Sequence, residues 1–303
     1  MRVVSLFSGA GGLDLGFIMA GHEIVWANDL FSDAVATYKE NIGDHITEAD
    51  IKTIESNDIP CCDIVIGGFP CQGFSVANTK RNTSDERNVL YKELLRVIKD
   101  KQPKFFLAEN VKGILSLNKG ETFRMILNDF SSLNYRVQYK VLNSANYGVP
   151  QTRERVIIVG VRNDVDAIYE FPKPTHTKDG EDGTKKWVTV GDAILSLPDP
   201  DTPNSVLNHT YSKYKLNFNG YIGHRPINPD RPSPTVTARG DDKGGVVIHP
   251  HPNGLRRMTC RELATIQSFP LDFKFIGNNS SIYRQIGNAV PVLMAYAIAK
   301  QFN

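Results

Sequence analysis

The first 162 residues alternate short apolar runs with stretches of helical period. The runs Arg2–Phe7, Glu23–Ala27, Asp63–Phe69, Phe105–Ala108, Tyr135–Leu142 and Val156–Val161 predict strands. Between them, Asn88–Lys101 sets Val89, Leu90, Leu94, Val97 and Ile98 on one helical face, and Phe123, Ile126, Leu127 and Phe130 mark a second helix. Strands interleaved with helices predict a doubly wound α/β sheet, whose ligand crevice lies at the carboxyl ends of its strands. The pattern then breaks: nine of the 17 prolines fall between Pro172 and Pro234, and Lys178–Gly183 is polar and glycine-rich. This predicts a small, irregular second domain. Order returns at Thr259, where Thr259 and Glu262 form a capping box ahead of Leu263, Ala264 and Ile266. Gly287–Pro291 is expected to open a last amphipathic helix that buries Val292, Ala295, Tyr296, Ala299 and Phe302 against the first domain. The predicted division is 1–162, 163–255 and a returning segment 256–303.

Composition narrows the class. A chain of 303 residues with 41% apolar content buries at least one large core. Its apolar runs are too short to cross a membrane as a helix, and no secretory leader is apparent. Cys61, Cys62, Cys71 and Cys260 show neither metal-ligand spacing nor disulfide density, so a reduced, cytoplasmic protein without a metal is expected. The net charge of +2 conceals an asymmetry. Residues 1–70 carry three basic and eleven acidic side chains, whereas 71–162 carry sixteen basic and eight acidic. Chance scatter over solvated faces is one account of this; a cationic small ligand beside a polyanion is the other.

The turn Phe7-Ser8-Gly9-Ala10-Gly11-Gly12-Leu13-Asp14 follows the first strand and opens a helix. Its glycines let the backbone turn tightly and approach a ligand. A dinucleotide fingerprint requires glycine where Asp14 stands, and a carboxylate there opposes a pyrophosphate. Asp29, ending the second strand, suits a ribose diol, and Asp50 suits an adenine amino group; each alone also reads as a solvated turn carboxylate. A nucleoside with a positive tail fits, and S-adenosylmethionine is the candidate.

Cys71 ends the run Asp63–Phe69 at Pro70-Cys71, before a polar loop. Rigid strand ends beside loops suit nucleophiles, although a lone cysteine is more often a small buried hydrophobe. Only a few per cent of an ordinary thiol is ionised at pH 7, so Cys71 needs positive charge, backbone donors or coupled proton transfer. Glu109, at the end of the next strand, falls over the same pocket, with Arg153 and Arg155 just ahead of another strand.

These stretches resemble the motifs of bacterial DNA (cytosine-5)-methyltransferases, from Val4 through Phe302. Gly67-Gly68-Phe69-Pro70-Cys71-Gln72 resembles the nucleophile motif, and Glu109-Asn110-Val111 the second catalytic motif. Gln151–Arg155, Arg231–Gly240 and Gln285–Pro291 resemble three further motifs in the family's order. Two departures are visible: the ribose acid, usually Glu, is Asp29, and Ala49 precedes Asp50-Ile51 where Gly is common. The resemblance implies a mixed, Rossmann-like sheet with a small target-recognition domain at 163–255. It adds Leu30, Ile51, Gly68, Pro70, Leu90, Asn288 and Val290 to the cofactor residues. It further implies that Cys71 adds to cytosine C6 while Glu109 holds N3 and the exocyclic amine. Arg155 is then expected at the O2 edge, Arg153 supports the pocket, and the base must leave the duplex.

Gln72–Val89 is a long polar connection, expected to close as a lid over double-stranded DNA, with Gln72, Ser75, Lys80, Arg81 and Arg87 meeting it. Arg225, Arg231 and Arg239 are candidates for guanine edges or phosphates, with solvated loop arginines the alternative. A monomer, associated with the nucleoid and protecting host DNA beside a companion restriction endonuclease, is the expected setting. The alternatives are a tRNA cytosine-5 methyltransferase of the same fold and a catalytically silent DNA-binding relative.

Overall fold

The computed structural model describes residues 1–69, 90–211, 225–238 and 249–302. Seven strands form one mixed sheet: β1 (Arg2–Leu6), β2 (Glu23–Asp29), β3 (Ile46–Glu48), β4 (Ile64–Gly68), β5 (Phe105–Val111), β6 (Tyr135–Asn143) and β7 (Glu154–Arg162). Their order is β3-β2-β1-β4-β5-β7-β6. The first five run parallel, and β7 is antiparallel to both neighbours. The six predicted strands are present, their ends differing from the expected ones by up to three residues.

Helices α1 (Gly12–Met19), α2 (Ser32–Asn41), α3 (Leu90–Lys101) and α4 (Glu121–Ser131) cover the sheet. One face of α3 buries Tyr91, Leu94, Val97 and Ile98, which pack with Val4, Val65 and Phe106. On the opposite face Val3, Ile66, Leu107 and Ile157 meet Phe17 of α1. Both faces are covered, so the central strands read as continuous apolar runs rather than alternating ones.

Beyond the sheet lie a two-stranded pair, β8 (His176–Thr177) with β9 (Lys185–Lys186), and helix α5 (Val190–Ile194). Then follow α6 (Cys260–Ile266), α7 (Asn279–Asn288) and α8 (Val292–Ala299). The capping box at α6 is present, with Thr259 and Glu262 each accepting the other's backbone N–H. A third core packs Val190, Ile194, Ile227 and Val236 against Met258, Leu263, Ile266 and Phe269, so packed side chains link the two sides of residue 255.

The C-terminal helix differs from its expected form. Gly287 and Asn288 close α7, and Pro291 is the residue preceding α8. Val292, Met294, Ala295, Ile298 and Ala299 form one buried face of α8, whereas Leu293, Tyr296 and Ala297 on the other side are half-buried, so of the expected contacts only Tyr296 is not fully enclosed. The tight seat of α8 on α1 explains Gly16, where a β-carbon would stand 2.4 Å from the Ala295 β-carbon and 2.6 Å from the Tyr296 nitrogen.

Candidate active site

A cavity of about 810 Å³ opens at the carboxyl ends of β1, β4 and β5. Chain connections diverge to the two sides of β1 and β4, so the cavity sits where topology leaves a crevice. Antiparallel β7 starts at this same end. Val111 of β5 pairs with Arg155, and Glu109 with Ile157, which brings Gln151–Arg155 beside Glu109-Asn110-Val111.

The turn after β1 forms one wall. Phe7 has φ 55°, a left-handed conformation that a bulky residue adopts only when its surroundings hold it there. Gly11 caps α1 at φ 87°, and a β-carbon there would stand 2.3 Å from Ile42 and 3.0 Å from Tyr38. Asn28, buried, donates to Thr47 O and Ala49 O and so fixes the end of β2 to the chain after β3. Asp29 accepts from the Gly9 N–H and the Phe31 N–H, both at 2.8 Å. Burial raises its pKa against those two bonds. Asp29 thus ties the glycine turn to the end of β2 while still facing the cavity.

Of the predicted cofactor residues, Phe7, Ser8, Gly9, Ala10, Gly12, Leu13, Leu30, Gly68, Leu90, Asn288 and Val290 line this cavity. Three predicted cofactor residues do not. Gly11 lies behind the turn against Tyr38 and Ile42. Asp50 starts a short 3-10 turn, accepting from the Lys52 N–H and pairing with the Lys52 ammonium at 3.6 Å. Ile51 is buried in the apolar layer beneath α3. Asp50 thus follows the third strand and caps this 3-10 turn with Oδ1, its side chain remaining about one third exposed. Pro70, Cys71, Gln72, Ser75, Lys80, Arg81, Arg87 and Arg239 lie outside the described residues. Arg225 and Arg231 are exposed and stand away from the cavity lining.

At the other wall, Arg155 Nε meets Glu109 Oε1 at 2.7 Å, with both side chains about nine-tenths buried. Arg155 Nη1 donates to Glu154 O. Both Arg155 and Glu109 line the cavity. Gly68 makes room for this carboxylate: a β-carbon there would stand 3.1 Å from Glu109 Oε2. Arg153 is fully enclosed and donates to Val236 O at 2.8 Å and Gly287 O at 2.9 Å. Burial and the neighbouring Arg155 charge lower its pKa to about 9. Arg153 is therefore a strut between β7, the 235–238 segment and α7, and it also lines the cavity.

Sequence reading missed several residues that the structure brings here. Asn110 donates from Nδ2 to Phe69 O at 3.0 Å, fixing the exit of β4 just before Pro70-Cys71. Gln151 accepts from the Val236 N–H and donates to Gln267, which donates in turn to Ile286 O and Ala289 O. Phe31, Thr235–Ala238 and Arg284 complete the rim, Arg284 lying 4.7 Å over the Phe31 ring. Neighbouring motif residues were the one available signal for them: Asn110 follows Glu109, and Gln151 precedes Arg153.

Comparison with known proteins agrees with this geometry. Residues 1–303 match the family described as C-5 cytosine-specific DNA methylase. The chain is similar to the type II methyltransferase M.NgoFVII of Neisseria gonorrhoeae, 44% identical over 99% of this chain and 85% of that protein. It is also similar to M.BspRI of Lysinibacillus sphaericus, 41% identical over 99% and 80%, and to M.MthTI of Methanothermobacter thermautotrophicus, 38% over 99% and 96%. Among solved structures, an E. coli prophage protein described as a candidate DNA modification methyltransferase superposes with a TM-score of 0.75 at 26% identity, covering 99% of this chain and 98% of that one. The S. pombe Dnmt2 methyltransferase shares the fold, with a TM-score of 0.71 at 22% identity over 99% and 97%. A glycine turn, a strand-end glutamate and paired arginines converging on one crevice thus occur in a chain that belongs to the C-5 cytosine-specific DNA methylase family and is a DNA cytosine-5 methyltransferase of the restriction-modification type.

Proposed function

We propose that the chain transfers a methyl group from S-adenosylmethionine to C5 of a cytosine flipped out of a specific duplex site, through a covalent bond between Cys71 and C6. The observation that carries this reading is the Glu109 carboxylate, anchored through Oε1 by Arg155 and lining the cavity beside the end of β4, from which the chain runs on to Pro70-Cys71.

The cavity fits the donor. Its volume lies within the range of small-molecule sites, roughly 300–1,000 Å³. Asp29, holding two backbone donors, retains lone pairs for a ribose diol. At Gly9 a β-carbon would meet nothing within 4 Å, so the turn is open on that side. Phe7–Leu13, Leu30, Gly68, Asn288 and Val290 would hold the nucleoside and its tail, and Pro70 belongs to the same proposed set. When bound, the donor supplies an electrophilic methyl group.

The protein's part is to make C5 nucleophilic. Cys71 adds to C6, and Glu109 hydrogen-bonds N3 and the exocyclic amine, which stabilises the charge pushed onto the ring. Arg155 donates to the O2 edge, and Arg153 keeps Arg155 in register. After methylation, loss of the C5 proton and elimination of Cys71 restore the aromatic base. None of these groups reaches a stacked base, so the cytosine must be extruded. Residues 163–255, with Arg225, Arg231 and Arg239, would contact the duplex, and the basic loop Gln72–Val89 would close over it. A monomer suffices for one base in one pocket, and protection of host DNA against a companion endonuclease is the role the type II relatives suggest.

The test is to incubate the protein with labelled donor and either duplex DNA or tRNA and to map any methylated cytosine. Label at C5 in DNA, abolished by Cys71→Ser, is expected. Full activity in Cys71→Ser, or label in tRNA alone, contradicts the reading.

A further inference from the structure

Beneath the cavity wall lies a carboxylate that the chemistry above does not use. Asp14 sits in the first turn of α1 and is wholly shielded from solvent. Its Oδ1 accepts from the Ser5 hydroxyl at 2.7 Å, and its Oδ2 from the Tyr38 hydroxyl at 2.8 Å. Ser5 itself belongs to the cavity lining, so this carboxylate lies one hydrogen-bonded residue behind the cavity wall. Tyr38 also contacts His45 Nε2 at 3.2 Å and packs under Gly11.

The titratable groups facing Asp14 are Tyr38 from α2, with His45 behind it, and Asp29 from the end of β2. None of these supplies a fixed positive charge. Burial accordingly raises the Asp14 pKa to about 6, with the Asp29 charge adding to the rise. A buried anion lacking a cation is costly unless something else compensates it. The cavity above it, with Asp29 on its wall, is where a positively charged ligand would do so.

We propose that Asp14 is a specificity-determining residue that acts through its field, favouring the cationic sulfonium donor over the neutral thioether left once the methyl group has gone. This rests on the methyl-donor reading above. The two ligands differ by one methyl group and one unit of charge, and they share every other ionisable group. Their ratio of affinities therefore isolates the charge term. With one side chain between charge and ligand, a unit charge is worth roughly tenfold at an effective permittivity of about 20. The Ser5 and Tyr38 bonds keep Asp14 ionised at neutral pH, and acid should erase the preference.

The experiment is calorimetric titration of the full chain with S-adenosylmethionine and with S-adenosylhomocysteine, at pH 7.5 and pH 5.0. Asp14→Asn should lower the donor-to-product affinity ratio by about tenfold at pH 7.5, and the wild-type ratio should fall by a similar factor at pH 5.0 while that of the variant stays flat. Tyr38→Phe removes one stabilising donor, so its ratio should begin to fall at a higher pH than in the wild type; this variant serves if Asp14→Asn does not fold. Equal loss of both ligands in Asp14→Asn, or a Tyr38→Phe profile that matches the wild type, overturns the proposal. If the wild type binds neither ligand, the methyl-donor reading fails first and takes this one with it.

Discussion

Cutting the Glu109–Arg155 pair should expose how strongly the site depends on it. The contact is 2.7 Å long, and its side chains are 12% and 10% exposed. Arg155→Ala leaves a nearly buried carboxylate without its direct ion-pair partner, a change that costs about 3–5 kcal/mol when one partner of a buried pair is removed. Residual hydration at this exposure places the expectation near the low end, about 3 kcal/mol. Glu109→Gln leaves the guanidinium uncompensated and should cost a comparable amount. The double variant should lose far less than the sum, because neither charge then lacks its partner. Urea denaturation of the four proteins yields the coupling energy, expected at about 2 kcal/mol or more. Losses that add within about 0.5 kcal/mol would refute a coupled pair.

Further outcomes follow from single contacts. Gly68→Ala should depress turnover with little change in melting temperature, because its β-carbon would press on Glu109 Oε2 at 3.1 Å; an unchanged rate would argue that the carboxylate moves freely. Gly287→Ala sets a β-carbon 2.3 Å from the Thr237 carbonyl carbon, a backbone clash that should cost about 1–3 kcal/mol and weaken donor binding, read by thermal unfolding and calorimetry. Asp14→Asn should be stabilising at pH 8. The folded pKa of about 6 lies above the ordinary 3.8, so ionised Asp14 opposes folding above pH 6, and the penalty fades as pH falls from 6 toward 3.8. A variant less stable than wild type at pH 8 and equally so at pH 4.5 would contradict this.

The parts of the fold that sequence reading recovered are those governed by local pattern. Val3–Leu6, Ile64–Ile66 and Val156–Val161 are buried on both faces, and their unbroken apolar runs betray them. The Thr259–Glu262 box is a local capping motif and formed as read. Helix α2 was missed because its buried positions, Ala34, Val35, Thr37 and Tyr38, include small and polar residues. Gly287–Pro291 was read as opening the last helix, whereas Gly287 belongs to the end of α7 and is needed for close approach to Thr237. Within the site, strand-end residues such as Glu109 were placed well, since strand direction alone fixes them. The bond from the Lys52 N–H to Asp50 was not legible, since spacing does not report which neighbouring backbone N–H a carboxylate accepts from. The Gln151–Gln267 bridge joins residues 116 positions apart and leaves no trace in either neighbourhood.

The covalent step is the claim on which the chemistry turns, and a duplex carrying 5-fluorocytosine addresses it directly. Fluorine at C5 blocks the final loss of a proton, so the protein incubated with this duplex and the methyl donor should form a denaturation-resistant complex. Peptide mapping should then find the base on Cys71. A complex that never forms, or one attached at another residue, would contradict the account.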